Sequence, residues 1–236
     1  MIKDFKTEGI VLTEFRYKEK SKIIRVFTKE LGKISIMARG ALGAKSPLVA
    51  ISQMFSLNEY ELYRGNSFYY IKNANIIKSN FNIRNSYDRL VYGSFILELY
   101  DKAFPEGEAN ENAFILLVKT LKLLENTDNN ILNLILAFEI KFISFMGYRP
   151  VLNTEIKNPV FSLKNGGVIE KIAFNEVLSY DISNDDIYYL SNLLYTSLDA
   201  LNIDIDEQRL LYLQNIFIEY IKYNLEINEF KSLKLI

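Results

Sequence analysis

The period of the hydrophobic pattern changes once along this chain, near residues 80–83. Before that point, apolar residues alternate with polar ones over short runs, which is the pattern of half-buried strands. After it, long apolar segments recur at helical spacing. Because strands come first and helices follow, the pattern predicts an α+β protein with two domains, residues 1–80 and 81–236.

Five short strands are predicted in the first domain. They are Gly9–Phe15, Ile23–Thr28, Lys33–Arg39, Met54–Tyr63 and Ser67–Lys72. Between the last two, Arg64-Gly65-Asn66 is a good hairpin turn. Five strands without a helical pattern among them favour a small closed barrel. The five-stranded barrel that binds oligonucleotides, the OB-fold, is the first choice, and an SH3-like barrel fits nearly as well.

Five helices are predicted in the second domain. They are Arg84–Phe104, Asn112–Glu125, Asn130–Met146, Asn184–Leu201 and Asp206–Leu225. The third is apolar nearly all round, so we expect it at the centre of a helical bundle. Asn184 and Asp206 are the expected N-caps of the last two helices. Residues 151–173 read as an irregular or strand-like insertion with turns at Asn158-Pro159 and at residues 165–167.

Charge is distributed unevenly between the two domains. Residues 1–80 hold fourteen Lys and Arg against seven Asp and Glu, a net charge of +7, whereas residues 81–236 carry a net charge of −8. The net charge of −1 for the whole chain hides this asymmetry. A basic domain joined to an acidic one indicates a polyanionic partner for the basic part only.

Several classes of protein are excluded by what the sequence lacks. It has no cysteine and no histidine, which excludes disulfides, thiolate or imidazole zinc sites, cysteine proteases and Ser-His-Asp hydrolases. No GxxxxGK[ST] loop is present, so an ATPase is not expected. The longest charge-free run in the apolar middle, Asn129–Phe138, is too short to span a bilayer. We therefore expect a cytoplasmic protein without catalytic residues, metal or cofactor.

The candidate nucleic-acid surface centres on the basic stretch Lys33–Pro47, where a strand is followed by a loop of small residues. Long cationic side chains suit sequence-independent contacts with phosphate. The candidates are Arg16, Lys18, Lys20, Lys22, Arg25, Lys33, Arg39 and Lys45. Aromatic residues lie among them, and exposed ones could stack on bases, although the barrel core is the favoured place for each. These aromatics are Phe15, Tyr17, Phe27, Phe68, Tyr69 and Tyr70.

Six segments of the sequence resemble the RecO family of bacterial recombination mediators. The matching segments, in family order, are TEGIVL (7–12), SKIIRVFTKELGKIS (21–35), ARGA (38–41), KSPL (45–48), FEIKFISFMGYRPVL (138–152) and FSLKNGG (161–167). The resemblance implies an N-terminal OB-fold, a C-terminal helical domain, and binding and annealing of single- and double-stranded DNA. It also implies a cytoplasmic, nucleoid-associated protein that acts with RecR and with the single-stranded-DNA-binding protein, so that recombinase is loaded on coated strands.

The sequence departs from the family at the four-cysteine zinc site that many RecO proteins carry. The corresponding positions are Glu155, Asn158, Glu170 and Ala173. No thiolate remains there, so we expect hairpin and hydrophobic packing to hold this segment without zinc. The resemblance also implies capture of the acidic tail of the single-stranded-DNA-binding protein. Candidate cations for that tail are Lys119, Lys122, Lys141 and Arg149.

Two other functions stay open at this stage. One is an OB-fold protein associated with RNA or translation. The other, less favoured, is a metal-dependent nuclease that uses acidic residues near the last two helices. The cluster comprises Asp181, Asp185, Asp186, Asp204 and Asp206, together with the amide of Asn184. Helix capping explains them without a metal, and they lack the spacing of an EF-hand loop.

Overall fold

The computed structural model describes residues 4–127, 131–154, 156–171, 178–201 and 205–235. The chain forms two compact units. The first unit comprises residues 1–126 together with residues 230–236, and the second unit comprises residues 127–229. The first unit thus holds helices as well as strands. A domain boundary near residue 80, where the hydrophobic period changes, stays a prediction.

Five strands form a closed barrel in the first unit. They are β1 (Asp4–Tyr17), β2 (Ser21–Thr28), β3 (Gly32–Ala38), β4 (Leu57–Arg64) and β5 (Tyr69–Lys78). Their order around the barrel is β1-β2-β3-β5-β4, and β4 pairs again with β1. The pairs are antiparallel except β3–β5, which is parallel at Ile36–Tyr69 and Met37–Tyr70. This OB-like barrel, followed by helices, confirms the predicted fold class.

Strand β1 pairs with both of its neighbours, β4 through its first half and β2 through its second. Gly9 lies where the two pairings overlap, and a Cβ atom there would lie 2.5 Å from Cγ1 of Val26. Only glycine therefore fits without displacing the side chain of Val26. An irregularity in the register between Val11 and Thr13 marks a bulge further along the strand.

The barrel interior is filled by alternate residues of the strands and by Ile51 of the short helix α1 (Leu48–Ile51). As the period-2 pattern of β3 predicts, Ile34 and Ile36 point into this core. Lys33 is also buried, with 8% of its surface exposed. The reason is that the segment containing Gly107 covers the outer face of β3 at this position. The backbone N–H of Gly107 donates to the carbonyl of Lys33 at 2.9 Å.

Two helices of the first unit follow a 3-10 turn at Phe81–Asn85: α2 (Tyr87–Ala103) and α3 (Glu111–Asn126). Helix α2 packs against the outside of β1 and β2. There the ring of Phe27 lies 5.1 Å from that of Tyr100 and 4.8 Å from that of Phe104. Phe27 is therefore an anchor between strand and helix and not a surface available to bases.

The second unit contains α4 (Ile131–Phe145), α5 (Asn184–Tyr195) and α6 (Glu207–Asn224). It also holds a small sheet in the order β7-β6-β8, made of β6 (Pro159–Ser162), β7 (Gly167–Glu170) and β8 (Ser179–Asp181). Helix α4 is buried nearly all round and packs against α5 and α6. The segment predicted as irregular or strand-like thus contributes a hairpin, and Phe161 fixes it to Phe217 and Tyr220 of α6 at 5.4 and 5.2 Å.

Helix ends show where local signals succeed and fail. Asp206 caps α6 as predicted, because its carboxylate accepts from the backbone N–H of Arg209 at 3.0 Å. The prediction for Asn184 is wrong: Ser183 is the N-cap of α5 and forms a capping box with Asp186. Helix α5 also ends at Tyr195, earlier than predicted, and a 3-10 turn follows at Leu198–Ala200.

Several strand limits differ from the prediction as well, and β1 extends beyond both of its predicted ends. Strand β4 begins at Leu57 and not at Met54, and β5 continues to Lys78. Within the described ranges, no helix combines the length and the apolar character needed to cross a bilayer.

Candidate nucleic-acid interface

One end of the barrel brings three loops together, and we call it the hairpin end. The loops are the β1–β2 turn at residues 18–20, the loop that follows β3 at residues 39–47, and the β4–β5 hairpin at residues 65–68. The backbone N–H of Leu42 donates to the carbonyl of Lys20 at 3.1 Å and ties the first two loops. The N–H of Gly65 closes the third by donating to the carbonyl of Phe68 at 2.9 Å.

A groove of about 570 Å³ opens at the hairpin end. Its walls include two cations and four aromatic rings: Lys18, Arg39, Tyr17, Tyr63, Phe68 and Tyr70. A volume of this size falls in the range of roughly 300–1,000 Å³ that is typical of ligand clefts. The groove thus combines positive charge with flat apolar surfaces, the two features that single-stranded nucleic acids need in a binding site.

Five of the eight candidate cations are exposed and surround the hairpin end. They are Arg16, Lys18, Lys20, Arg39 and Lys45. In the part of the chain that the structure describes, none of these five forms a salt bridge. Their charges therefore face solvent and are available to an anion.

The other three candidates are paired with carboxylates inside the first unit. Lys22 bonds to Glu14 within the β1–β2 hairpin. Arg25 meets Asp101 of α2 at 2.7 Å, and Nζ of Lys33 lies 3.7 Å from the same carboxylate while donating to the backbone carbonyl of Asp101. Burial lowers the pKa of Lys33, and the charge of Asp101 opposes that shift. Arg25 and Lys33 thus form a separate cluster, which we call the α2 side.

The aromatic residues divide in the same way. Phe15 and Tyr17 are exposed, Phe68, Tyr69 and Tyr70 are half-buried, and Phe27 packs on α2. Sequence reasoning missed Tyr63, whose ring stacks on that of Tyr70 with centroids 5.2 Å apart and planes at 18°. The two residues are direct cross-strand partners in the β4–β5 hairpin. The predicted turn at residues 64–66 would instead pair Tyr63 with Ser67, whereas the loop spans residues 65–68 and Arg64 pairs with Tyr69.

Arg64 was also missed, because the sequence assigned it to the turn. Its guanidinium lies 5.3 Å from the ring centroid of Tyr69 and donates to the hydroxyl of that residue at 3.0 Å. Neither Arg64 nor Tyr69 lines the groove. Arg64 therefore adds positive charge near the hairpin end without belonging to the groove wall.

The candidate cations for a protein tail lie in both units. Lys119 is half-buried and Lys122 is exposed on α3 in the first unit. In the second unit, Nζ of Lys141 donates to the carbonyl of Leu194 at 2.8 Å, and Arg149 lies 5.1 Å from the ring centroid of Tyr195. Lys141 and Arg149 thus meet at the C-terminal end of α5, where cations complement the helix dipole. Their role in binding a partner stays a prediction.

Two of the acidic residues near α5 and α6, Asp186 and Asp206, are engaged in helix ends, and Asp181 pairs with Lys171 at 2.7 Å. The carboxylate of Asp186 accepts from Nε of Arg209 at 2.8 Å and also completes the capping box with Ser183. Asp204 lies outside the described residues. Among the described residues there is no group of three or more acidic side chains placed to hold a metal ion.

The positions of the family's zinc cysteines do not fit zinc in this chain. Glu155 and Ala173 lie outside the described residues. Glu170 is exposed, and Asn158 adopts a left-handed conformation with φ of 48°. The carbonyl of Asn158 accepts from the N–H of Lys171 at 3.0 Å, so the base of the β6–β7 hairpin is closed by backbone hydrogen bonding. An amide, an alanine and two carboxylates do not replace four thiolates as zinc ligands.

Comparison with known protein families gives a match for the barrel region and another for the region that follows it. Residues 1–80 match the family model "Recombination protein O N terminal", and residues 84–234 match "Recombination protein O C terminal". The chain belongs to the RecO family. A protein of Acetivibrio thermocellus named DNA repair protein RecO is 31% identical over 232 residues, which cover 94% of this chain and 92% of that protein.

Other RecO proteins show the same relationship over shorter stretches. DNA repair protein RecO of Alkaliphilus metalliredigens is 34% identical over 171 residues, covering 70% of each chain. That of Bacillus mycoides is 35% identical over 171 residues, covering 70% of this chain and 68% of its own. Together with the OB-like barrel, these similarities confirm the family that the sequence segments indicated.

Proposed function

We propose that this RecO-family chain acts in DNA repair by binding DNA at the hairpin end of its barrel. The observation that carries the proposal is the grouping at the hairpin end of five exposed cations that form no salt bridge with any described residue: Arg16, Lys18, Lys20, Arg39 and Lys45. Two of them, Lys18 and Arg39, line the groove. The names of its relatives, DNA repair protein RecO, support the same process.

The chemistry of this end suits a backbone contact that does not depend on base sequence. Arg and Lys side chains attract phosphates, and neutralising them releases the counterions that surround DNA. Such contacts position the nucleic acid without reading its sequence. A protein that acts wherever DNA is damaged needs binding of this kind.

The finer parts of the proposal rest on the family resemblance. In this proposal the chain binds single and double strands, anneals complementary strands, and acts with RecR on strands coated by the single-stranded-DNA-binding protein. The candidate cations for the acidic tail of the coating protein are Lys119 and Lys122 on α3, together with Lys141 and Arg149, which both lie at the end of α5.

The salt dependence of DNA binding tests the assignment of the surface. Reversing both Arg39 and Lys45 to Glu should weaken binding to all DNA sequences alike. It should also lower the slope of log affinity against log salt by roughly 1.4 on single strands and 1.8 on duplex, since each phosphate contact contributes about 0.7 or 0.9. The matched control, Lys122→Glu with Lys164→Glu, changes the net charge equally at two other exposed sites.

An unchanged slope in the Arg39/Lys45 variant, or an equal loss in the control, would refute the proposed surface. Annealing of complementary strands coated with the cognate single-stranded-DNA-binding protein tests the mediator function directly. Degradation of labelled DNA in the presence of Mg²⁺ would favour a nuclease instead. Preferential binding of RNA in direct competition would favour a function in RNA metabolism.

A further inference from the structure

Three planar groups lie side by side in the wall of the groove. The guanidinium carbon of Arg39 is 4.6 Å from the ring centroid of Tyr70, and the ring of Tyr70 stacks on that of Tyr63. Arg39 is exposed, and the two tyrosines are half-buried. All three residues line the same groove. The wall therefore presents a stack of flat groups and not only scattered charges.

The topology of the barrel explains why the three groups are ordered in this way. Tyr70 lies on β5, which runs between β3 and β4. Tyr63 is its cross-strand partner on β4, and Arg39 follows directly after β3, where Met37 pairs with Tyr70. Arg39 and Tyr63 thus approach Tyr70 from opposite neighbouring strands. Closure of the barrel places them in the stack before any ligand binds.

From this geometry we infer that the stack of Arg39, Tyr70 and Tyr63 binds unpaired bases of single-stranded DNA. This inference rests on the function proposed above and adds a second role for Arg39, as a flat stacking surface besides a positive charge. A guanidinium is planar and stacks on aromatic rings, which an ammonium group does not do. Bases in a duplex are already stacked on one another, so the stack adds to the binding of single strands only, whereas the cations attract the backbone of both.

The composition of the groove supports this occupant. Tyr17 and Phe68 supply further aromatic surface, and Lys18 supplies a second cation beside Tyr17, with Nζ 5.5 Å from the ring centroid. A backbone that follows the cations of the hairpin end would place its bases against these rings. Stacking of this kind tolerates every base, so it is compatible with binding that ignores sequence.

Arg39→Lys separates the two roles of Arg39, because it keeps the charge and removes the plane. The variant should bind a single-stranded oligonucleotide about 5- to 10-fold more weakly, whereas the salt slope stays at the wild-type value. It should bind an abasic deoxyribose-phosphate chain of the same length within about twofold of the wild type. Tyr70→Leu should show the same pattern.

Arg64→Lys is the matched control, since Arg64 also lies over a tyrosine but outside the groove. It should leave both affinities unchanged. The inference is overturned if Arg39→Lys weakens both probes equally, if it weakens neither, or if Arg64→Lys has the same effect. Failure of the proposed function looks different: reversing Arg39 and Lys45 to Glu would then leave the binding of both probes intact.

Discussion

The hairpin end and the α2 side of the barrel both carry lysine and arginine, but the cations are exposed at the first and paired with a carboxylate at the second. At the hairpin end, Lys18 and Arg39 face solvent around a groove. On the α2 side, Arg25 and Lys33 meet the carboxylate of Asp101. The comparison teaches that a basic sequence is not yet a basic surface. Each cation contributes to binding only if the fold leaves it without a carboxylate neighbour.

The largest effect that separates the two regions should be on stability. Asp101→Asn removes the carboxylate from a buried lysine and should lower the free energy of unfolding by about 2–3 kcal/mol. Removing the exposed charge of Lys18 with Lys18→Gln should change it by less than about 0.5 kcal/mol. Urea denaturation measures both values.

Glu59→Gln is the matched control for that prediction, because it removes one exposed carboxylate from β4 of the same unit. Its effect on the free energy of unfolding should stay within about 0.5 kcal/mol. If Asp101→Asn also changes the free energy of unfolding by less than about 0.5 kcal/mol, the ion pairs on the α2 side contribute little to stability. The two regions would then not differ in this respect.

A smaller effect should appear in DNA binding when one arginine is removed from each region. Arg16→Ala should reduce the salt slope on single strands by about 0.7, the share of one phosphate contact. Arg25→Ala should leave the slope unchanged, because Arg25 already pairs with Asp101. Salt titrations of a fluorescent oligonucleotide compare the two variants, and equal losses would show that the α2 side also contacts DNA.

The smallest effect should be a dependence of stability on pH. The pKa of Lys33 is lowered from 10.5 in the folded state because burial disfavours its charged form. The unfolded chain then binds more protons than the folded one between the lowered pKa and 10.5, so this group makes stability rise with pH in that window. Lys33→Met abolishes this contribution.

The measurement for Lys33 is the difference in free energy of unfolding between Lys33→Met and the wild type. This difference should become smaller as pH rises from neutral towards about 10, because Lys33 then loses its buried charge and the wild type becomes more stable relative to the variant. Comparison within each pH cancels the titration of other groups. A difference that stays constant over this range would contradict the assignment.

Much of the fold could be predicted because its signals are local. The change of period near residue 80 predicts strands and then helices, and the strand pattern of β3 predicts Ile34 and Ile36 in the core. A hairpin turn at Gly65-Asn66 and the cap at Asp206 are likewise readable from neighbours in the chain, although Arg64 belongs to β4 and not to the turn. The error at α5 is local too, since Ser183 and Asn184 are both good caps, and the capping box with Asp186 selects Ser183.

The candidate site could be predicted only in part, because pairing between distant residues decides it. The eight cations are visible in the sequence, but Asp101 stands 76 positions from Arg25 and 68 from Lys33. Tyr63 and Tyr70 stack because of the register of a hairpin, which the alternation of residues does not specify alone.

The sequence by itself therefore determined the fold class, the basic character of the first eighty residues and the family. These depend on period, composition and short motifs, which act between neighbours in the chain. Tertiary structure alone decided which charges are neutralised. Glu139 illustrates this: it lies within an unremarkable helical pattern, yet it is fully buried beside Gln214, and burial raises its pKa well above the ordinary value. Burial depends on what packs against a residue, and neighbours in sequence do not specify that.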